Sequence, residues 1–355
     1  MSNRQRRRSR GASVRKAARR APREPLGEAG QLSATVRSPG DALAMIPYLL
    51  GFDPHHSVVV VAIDGPRRRF GHIMRADLVE PDGAPGLVAY LVSVVEAHAA
   101  DCVLVAAYAE RRDAADAVVP GLVAGLEAIG VSVLEGLLTD GRRWWSYTCD
   151  SPRCCPPDGT PFDPTTSALA AHAVAAGMSK APDRDTLRQQ FEPLPDAVRE
   201  EVGEIVDRML TDAYWIDEPD NAPSPAEEMA ALVVSALDGD LDTIDVAWLL
   251  SLAQDIEARD AAWWQMTREN ARLHFELWRQ VMRAAPDDLL APAGSLCAFA
   301  AWLAGAGALA SHAVERVAEV APDYPMMTLV ADALVSNLNP DVWEARPQLL
   351  GPART

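Results

Sequence analysis

The sequence predicts an α/β fold: an N-terminal mixed sheet with packed helices, followed by an all-helical part. Runs of β-branched residues alternate with helical spacing up to residue 148, and beyond a Pro- and Cys-rich segment the apolar spacing is only helical. A chain of 355 residues also exceeds the usual size of one hydrophobic core. We therefore predict a basic tail over 1–31, an α/β domain over 32–148, a connector over 149–164 and an all-helical domain over 165–355.

Strand and helix patterns alternate along the α/β part. The run at 57–63 is continuously apolar, as in a strand that is covered on both faces. Asp140-Gly141 predicts a hairpin turn. The predicted elements are, in order, helix 42–50, strand 57–63, strand 70–78, helix 86–99, strand 102–108, helix 114–129, strand 131–138 and strand 142–148. We expect Pro120 and Gly121 to break the last helix, and the alternation predicts a mainly parallel or mixed sheet.

Helical spacing dominates the rest of the chain. Helices are predicted over 165–176, 194–212, 226–237, 241–283 with a division near Asp260, and from 289 onward. Near the end, small and large residues and a proline follow the spacing of a tetratricopeptide unit: Ala298, Ala310, Val314, Val317 and Pro322. We predict one tetratricopeptide-like helix pair there, with Gly305 and Gly307 in its turn. One such unit cannot bury its own face, so it should pack on the preceding helices.

Charge is distributed unevenly along the chain. Residues 1–23 hold nine Arg and Lys16, whereas the rest has 23 cations against 50 acidic residues, a net charge of −27. An acidic body repels nucleic acids and anionic lipids, so only the tail offers a contact for nucleic acid. The tail lacks apolar periodicity, and we expect it to be disordered. Its simplest interpretation is a solubilising extension.

The sequence favours a cytoplasmic protein. It has no apolar run of the roughly 18 residues that span a bilayer, and no apolar segment follows the basic N-terminus as a secretory signal requires. Five cysteines in a chain of this length do not form a disulfide scaffold. No membrane association is therefore expected.

Three clustered cysteines, Cys149, Cys154 and Cys155, are the most distinctive feature. Inert thiols packed in a Pro-rich connector are the commonest explanation. Zinc is an alternative, with a fourth ligand from elsewhere, such as Asp150, Asp158, Cys102 or a histidine, although adjacent cysteines rarely both reach one metal. A reversible disulfide from Cys149 and an activated nucleophile complete the alternatives.

Charged and aromatic residues near the strand ends are the other candidates. Ligands bind at the carboxyl ends of strands in open α/β sheets, where Glu110, Arg111 and Asp140 stand. Arg143, Trp144 and Trp145 follow in the hairpin, and the two tryptophans should point to opposite faces. Solvated helix caps are the simpler explanation for the charged residues. His55 and His56 precede the first strand, at its amino end, so surface roles are expected for them.

Several stretches together resemble domain-of-unknown-function family 4192. They are IPYLLGFDP at 46–54 with SVV at 57–59, DGRRWWSYTC at 140–149, CCP at 154–156, GTP at 159–161, ALA at 308–310, ER at 315–316, PDY at 322–324 and PDVW at 340–343. The likeness covers residues 32–343. The resemblance implies an actinobacterial cytosol and supplies no chemistry.

Three hypotheses about function follow. The first is a non-catalytic binding or regulatory module, in which the α/β part senses a small ligand or partner and the helical part contacts protein, because no catalytic motif is found. The second is an enzyme with a site at the carboxyl ends of the strands, near residues 144–155. The third is a nucleic-acid-associated factor that acts through the Arg-rich tail.

Overall fold

The structure is a computed structural model that describes residues 36–345, apart from 66–68, 99, 177, 215–222, 238, 240 and 337. The predicted basic tail lies outside the described residues. None of the described helices is long and apolar enough to cross a bilayer.

A six-stranded mixed sheet forms the centre of the N-terminal part. Its strands are β1 (Ser57–Asp64), β2 (Arg69–Asp77), β3 (Cys102–Tyr108), β4 (Ser132–Thr139), β5 (Arg143–Ser146) and β6 (Thr160–Pro161), in the spatial order β2-β1-β3-β4-β5-β6. Of the adjacent pairs in this sheet, β3 and β4 are parallel and the others are antiparallel. The predicted mixed sheet is confirmed, and the segment predicted as a connector supplies its sixth strand.

Helices cover both faces of the sheet. Val58 and Val60 of β1 belong to a core with helices α2 (Ala84–Ala97) and α3 (Arg112–Ala128). Val59 and Val61 belong to a second core on the opposite face, with helix α1 (Pro39–Leu50). Alternate side chains of a strand point to opposite faces, so the continuous valine run fills both cores.

Helix α3 is unbroken, so the predicted interruption at Pro120 and Gly121 is wrong. Pro120 lies on the solvent side of the helix, and the residues that flank it, Val118, Val119 and Leu122, are fully buried. Burial of these side chains offsets the cost of the missing backbone hydrogen bond.

Helices make up the C-terminal part. They are α4 (Ala168–Ala175), α5 (Arg184–Gln189), α6 (Asp196–Tyr214), α7 (Pro225–Leu237), α8 (Thr243–Ala253), α9 (Ile256–Trp264), α10 (Ala271–Ala284), α11 (Leu290–Leu303), α12 (Gly307–Ala318), α13 (Pro325–Val335) and α14 (Asp341–Glu344). The chain turns before α9 and after it, whereas a division near Asp260 was predicted. Asp255 explains the first turn, because its carboxylate accepts the amide of Ala258 at 2.9 Å and starts α9 as an N-cap.

The fully buried helix α11 lies at the centre of the helical core. It pairs with α12 across a turn in which Gly305 has a φ of +77°. The pair packs closely, since a Cβ on Gly294 would be 2.4 Å from the Val317 side chain. The helix pair is present where one was predicted, and its likeness to a tetratricopeptide unit stays a prediction.

Candidate thiol site and the carboxyl edge of the sheet

Strand β5 presents its two tryptophans to opposite faces of the sheet, as predicted. Trp144 is buried in the core beneath α1. Trp145 lies on the other face, where the Arg112 guanidinium carbon is 5.2 Å from the centre of its ring system. The Trp145 indole Nε1 donates a hydrogen bond to the Pro157 carbonyl at 3.1 Å. Trp145 therefore binds the Cys- and Pro-rich segment to the sheet.

Arg143 and Gly159 attach the same segment a second time. The Arg143 guanidinium donates to the carbonyls of Gly159 at 2.8 Å and Asp158 at 3.2 Å. Gly159 is buried with a φ of +78°, and a Cβ there would lie 2.5 Å from the Trp145 ring. Arg143 was predicted as a ligand or interface residue. In the structure it holds the thiol segment, the Cys- and Pro-rich residues 149–164.

A network of hydroxyl groups positions the first cysteine. The Glu135 carboxylate on β4 accepts hydrogen bonds from Ser146 Oγ at 3.0 Å and Thr148 Oγ1 at 2.9 Å. Ser146 Oγ in turn accepts the backbone amide of Cys149 at 3.1 Å. The start of the thiol segment is thus tied to the middle of β4.

The three predicted cysteines converge on one point. The Sγ atoms of Cys149, Cys154 and Cys155 all lie within 4.8 Å of one another, and those of Cys149 and Cys154 are 3.2 Å apart. A tight turn brings them together, because the Ser151 carbonyl accepts the amides of Cys154 at 3.2 Å and Cys155 at 2.8 Å. The two adjacent cysteines therefore both face Cys149.

The three thiols differ in environment. Cys154 is exposed, whereas Cys149 and Cys155 are half-buried. The hydrogen bond with Cys149 lowers the pKa of the Cys154 thiol. Burial against the α1 core, together with the two neighbouring thiols, raises the pKa of Cys155 to about 12. Cys154 therefore ionises more readily than Cys155, and it is the thiol that solvent reaches first.

The charged residues predicted at the carboxyl ends of the strands do not join the thiols. The Asp140 carboxylate accepts the amides of Arg142 at 2.8 Å and Arg143 at 2.7 Å, so it forms the hairpin turn. Arg111 pairs with Asp113 at the start of α3, and Glu110 is exposed. Strand β5 runs back along β4 before the chain reaches Cys149. The charged residues and the thiols therefore lie at different positions along β4.

The loop before β1 lies at the favoured edge of the sheet, contrary to expectation. Because β1 is antiparallel to β3, Ser57 pairs with Tyr108, and Tyr108 pairs with Thr139. The amino end of β1 is therefore beside the carboxyl ends of β3 and β4. His55 and His56 were assigned to the opposite edge on the assumption that β1 runs parallel to these strands.

A set of paired charges surrounds this loop. Arg75 donates to Ser57 Oγ at 2.9 Å and pairs with Asp77, while Lys180 pairs with Asp53. His56 has a φ of +44° and is the only non-glycine residue with a positive φ in the described ranges. Arg75 and Lys180 thus each have a carboxylate partner beside this loop.

The family model described as Domain of unknown function (DUF4192) matches residues 39–341. The chain belongs to this family. No curated protein and no solved structure matches it.

The match covers both the thiol segment and the loop before β1 of this DUF4192 chain. Sequence reasoning found the thiols and Trp145, but it missed Glu135 and Gly159, which position them. Glycine at 159 carried one usable signal, because a glycine in a Pro-rich segment often marks a close approach of the backbone to a large side chain.

Proposed function

We propose that this DUF4192 protein is a non-catalytic regulatory module that binds a thiophilic metal ion, Zn²⁺ in the first instance, through Cys149, Cys154 and Cys155. The observation that carries the proposal is the convergence of three Sγ atoms within 4.8 Å of one another. The proposal places the protein in the reducing cytosol, where thiols stay available to metals.

The spacing of the sulfur atoms suits a metal ion. Thiolates that share one tetrahedral Zn²⁺ at about 2.3 Å lie roughly 3.8 Å apart. The sulfur separations here, from 3.2 Å for Cys149 and Cys154 up to the 4.8 Å limit, bracket that value. Soft thiolate ligands favour Zn²⁺ and Cu⁺ over Mg²⁺ or Ca²⁺.

The fourth coordination position is open to an external ligand in this proposal. The three-thiol group contains no further His, Cys, Asp or Glu among the described residues, so Asp150, Asp158 and Cys102 stay outside it. Because Cys154 is exposed, water or a group from a partner molecule can reach the ion. A three-ligand site with an open position differs from a closed structural zinc site, because an external ligand can bind the ion and leave it.

The helical part would supply the protein contact of such a module. Helix α13 presents Leu329 and Val335 to solvent, with 59% and 75% of their surface exposed. Apolar side chains on one exposed helix are a common form of protein contact. The partner itself is identified only as a protein. Nucleic-acid binding through the Arg-rich tail remains a weaker alternative, because the body of the chain is acidic.

Metal binding is tested on the full-length protein, purified and reduced without oxygen. We expect one Zn²⁺ per chain by elemental analysis, and Co²⁺ in its place should give thiolate-to-cobalt charge-transfer absorption. Cys149→Ser, Cys154→Ser and Cys155→Ser should each weaken Zn²⁺ binding by at least about tenfold, since each removes one of three anionic ligands.

Cys102→Ser is the matched control. Cys102 is also half-buried and lies in the same part of the chain, but it is outside the thiol group. This variant should keep full binding. Absence of stoichiometric Zn²⁺, or equal binding by the Cys154→Ser variant, would overturn the proposal. Circular dichroism of each variant checks that the fold is intact.

A further inference from the structure

We propose that Cys149 and Cys154 form a reversible disulfide when the protein meets a peroxide, with Cys155 left as a free thiol. The inference uses the same thiols as the proposed metal site, but it does not require that a metal binds. It assigns a modification site and a form of regulation to the segment.

Geometry singles out this pair of cysteines. Their Sγ atoms are already 3.2 Å apart, so a closure of about 1 Å reaches the bonded distance of roughly 2.05 Å. The pair closes a ring of only four intervening residues, which the Ser151 turn already folds. A bond between the adjacent Cys154 and Cys155 would instead strain the peptide that joins them.

Exposure favours Cys154 as the thiol that reacts first. It is the exposed member of the group, whereas Cys149 and Cys155 are half-buried. Cys297 is fully buried in the helical core, where burial raises its pKa, so it is protected from the oxidant.

The reaction balances with hydrogen peroxide as the oxidant. The Cys154 thiolate attacks one peroxide oxygen, the O–O bond breaks, and a sulfenic acid forms while hydroxide leaves and takes a proton to become water. The Cys149 thiolate then attacks the Cys154 sulfur, forms the S–S bond and displaces hydroxide, which leaves as a second water. The two sulfur atoms lose two electrons in total, and the peroxide gains them.

Oxidation would also release a bound metal. A disulfide removes two of the three thiolates, and Cys155 alone cannot retain the ion. Metal binding and disulfide formation therefore exclude each other, and an oxidant would set which form is present. A thiol reductant restores the three-thiol form.

The sequence provides a direct readout of this bond. Trypsin cleaves after Arg143, Arg153 and Lys180, so Cys149 falls in the peptide 144–153 and Cys154 in the peptide 154–180. Full-length protein stripped of metal is treated with hydrogen peroxide, blocked with an alkylating agent and digested. We expect the two peptides linked, with one alkyl group on Cys155 and a mass otherwise lower by two hydrogen atoms than their sum, and separated again after reduction.

Serine variants identify the partner cysteine. The link should persist in the Cys155→Ser protein and disappear in the Cys149→Ser and Cys154→Ser proteins. An unlinked wild-type protein, or a link that survives in the Cys154→Ser variant, would overturn the inference. Circular dichroism before digestion ensures that only folded protein is compared.

The metal-loaded protein separates this inference from the proposed function. If Zn²⁺ binds, peroxide should release it in step with the linked peptide. If Zn²⁺ does not bind but the link forms, only the metal proposal fails. If Zn²⁺ binds and no link forms under either condition, only the disulfide fails.

Discussion

The indole ring of Trp145 lies against the backbone of Gly159, at a position where any Cβ would be 2.5 Å from the ring. The contact joins β5 to the far end of the thiol segment. Since the Arg143 guanidinium also binds the Gly159 carbonyl, at 2.8 Å, the segment is held at one point by two neighbouring strand residues. The position of the thiols depends on this attachment.

Gly159→Ala should destabilise the protein and loosen the thiol site. The substitution combines a positive φ, which costs about 1 kcal/mol, with a steric clash against a large ring, which costs about 1–3 kcal/mol more. Gly141→Ala is the control, because Gly141 also has a positive φ of 86° but has open space around it. Urea unfolding followed by fluorescence measures both. Equal losses in the two variants would show that the Trp145 contact is unimportant.

The stability of the helical part should fall as the pH is lowered from 6.5 to 4. His274 is fully buried, neither ring nitrogen has a hydrogen-bond partner among the described residues, and burial lowers its pKa to about 4. The unfolded chain takes up this proton near pH 6.5 and the folded chain only near pH 4, so the unfolded state gains roughly 3 kcal/mol over this interval.

His274→Leu should reduce that dependence of the unfolding free energy on pH. His172→Ala, which removes an exposed histidine on α4, serves as the control and should leave the dependence unchanged. Urea unfolding at several values between pH 4 and pH 7 provides the measurement. If the His274→Leu variant lost as much stability as the wild type, the buried imidazole would not be the titrating group.

Glu315 should matter more to stability than its ion-pair partner Arg184. The pair joins α5 to α12 at 3.0 Å, but about half of each side chain is exposed, so Arg184→Ala should cost less than about 1 kcal/mol. Glu315 also binds Nδ1 of His312 at 2.9 Å, and that histidine is only 3% exposed, with its Nε2 unpartnered in the described part of the chain. Glu315→Ala should therefore cost about 1–3 kcal/mol.

Glu319→Ala is the matched control for Glu315→Ala. Glu319 lies one turn later on the same exposed side and pairs with Arg316 at 3.2 Å, without a buried histidine beside it. Thermal and urea unfolding of the three variants provide the comparison. A Glu315→Ala loss no larger than the Glu319→Ala loss would contradict the role assigned to His312.

Trp343 should hold the C-terminal end of the described chain against the helical core. Its ring stacks on Trp263 at 5.1 Å and on Trp264 at 5.5 Å, and its Nε1 donates to the Met266 carbonyl at 2.9 Å. Trp343→Phe keeps the stacking and loses the hydrogen bond, for a cost of about 1 kcal/mol.

Trp343→Ala loses both the stacking and the hydrogen bond and should cost about 2–3 kcal/mol. Unfolding in urea, followed by circular dichroism, ranks the two variants against the wild type. Equal stability of the alanine and phenylalanine variants would indicate that the stacked rings contribute nothing.

Local patterns predicted most elements of the fold. The continuous run of valines around Val59 and the Asp140-Gly141 turn are local patterns, so the strands and the hairpin were found from the sequence. The direction of β1 depends on contacts with β3, which are distant in the chain, and no local pattern encodes it. Because the direction of β1 was unknown, His55 and His56 were placed at the wrong edge of the sheet.

The candidate site was predictable in its chemistry and not in its arrangement. Residue type and spacing indicated Cys149, Cys154 and Cys155. The Ser151 turn, which makes both adjacent thiols face Cys149, is a three-dimensional property that spacing does not give.

The prediction for helix α3 failed for a similar reason, because burial of the residues beside Pro120 outweighed the helix-breaking tendency of proline. The domain boundaries and the tetratricopeptide likeness stay predictions.

The two residues of β6 form the outer border of the sheet. They pair with Arg143 and Trp144, and Pro161 has no N–H to offer to a further strand. A chain whose thiol segment came away from β5 would expose unpaired strand backbone, on which another copy could add its own strand. The segment that carries the three thiols therefore also covers the edge of β5, so loss of its attachment would expose that edge as well as move the thiols.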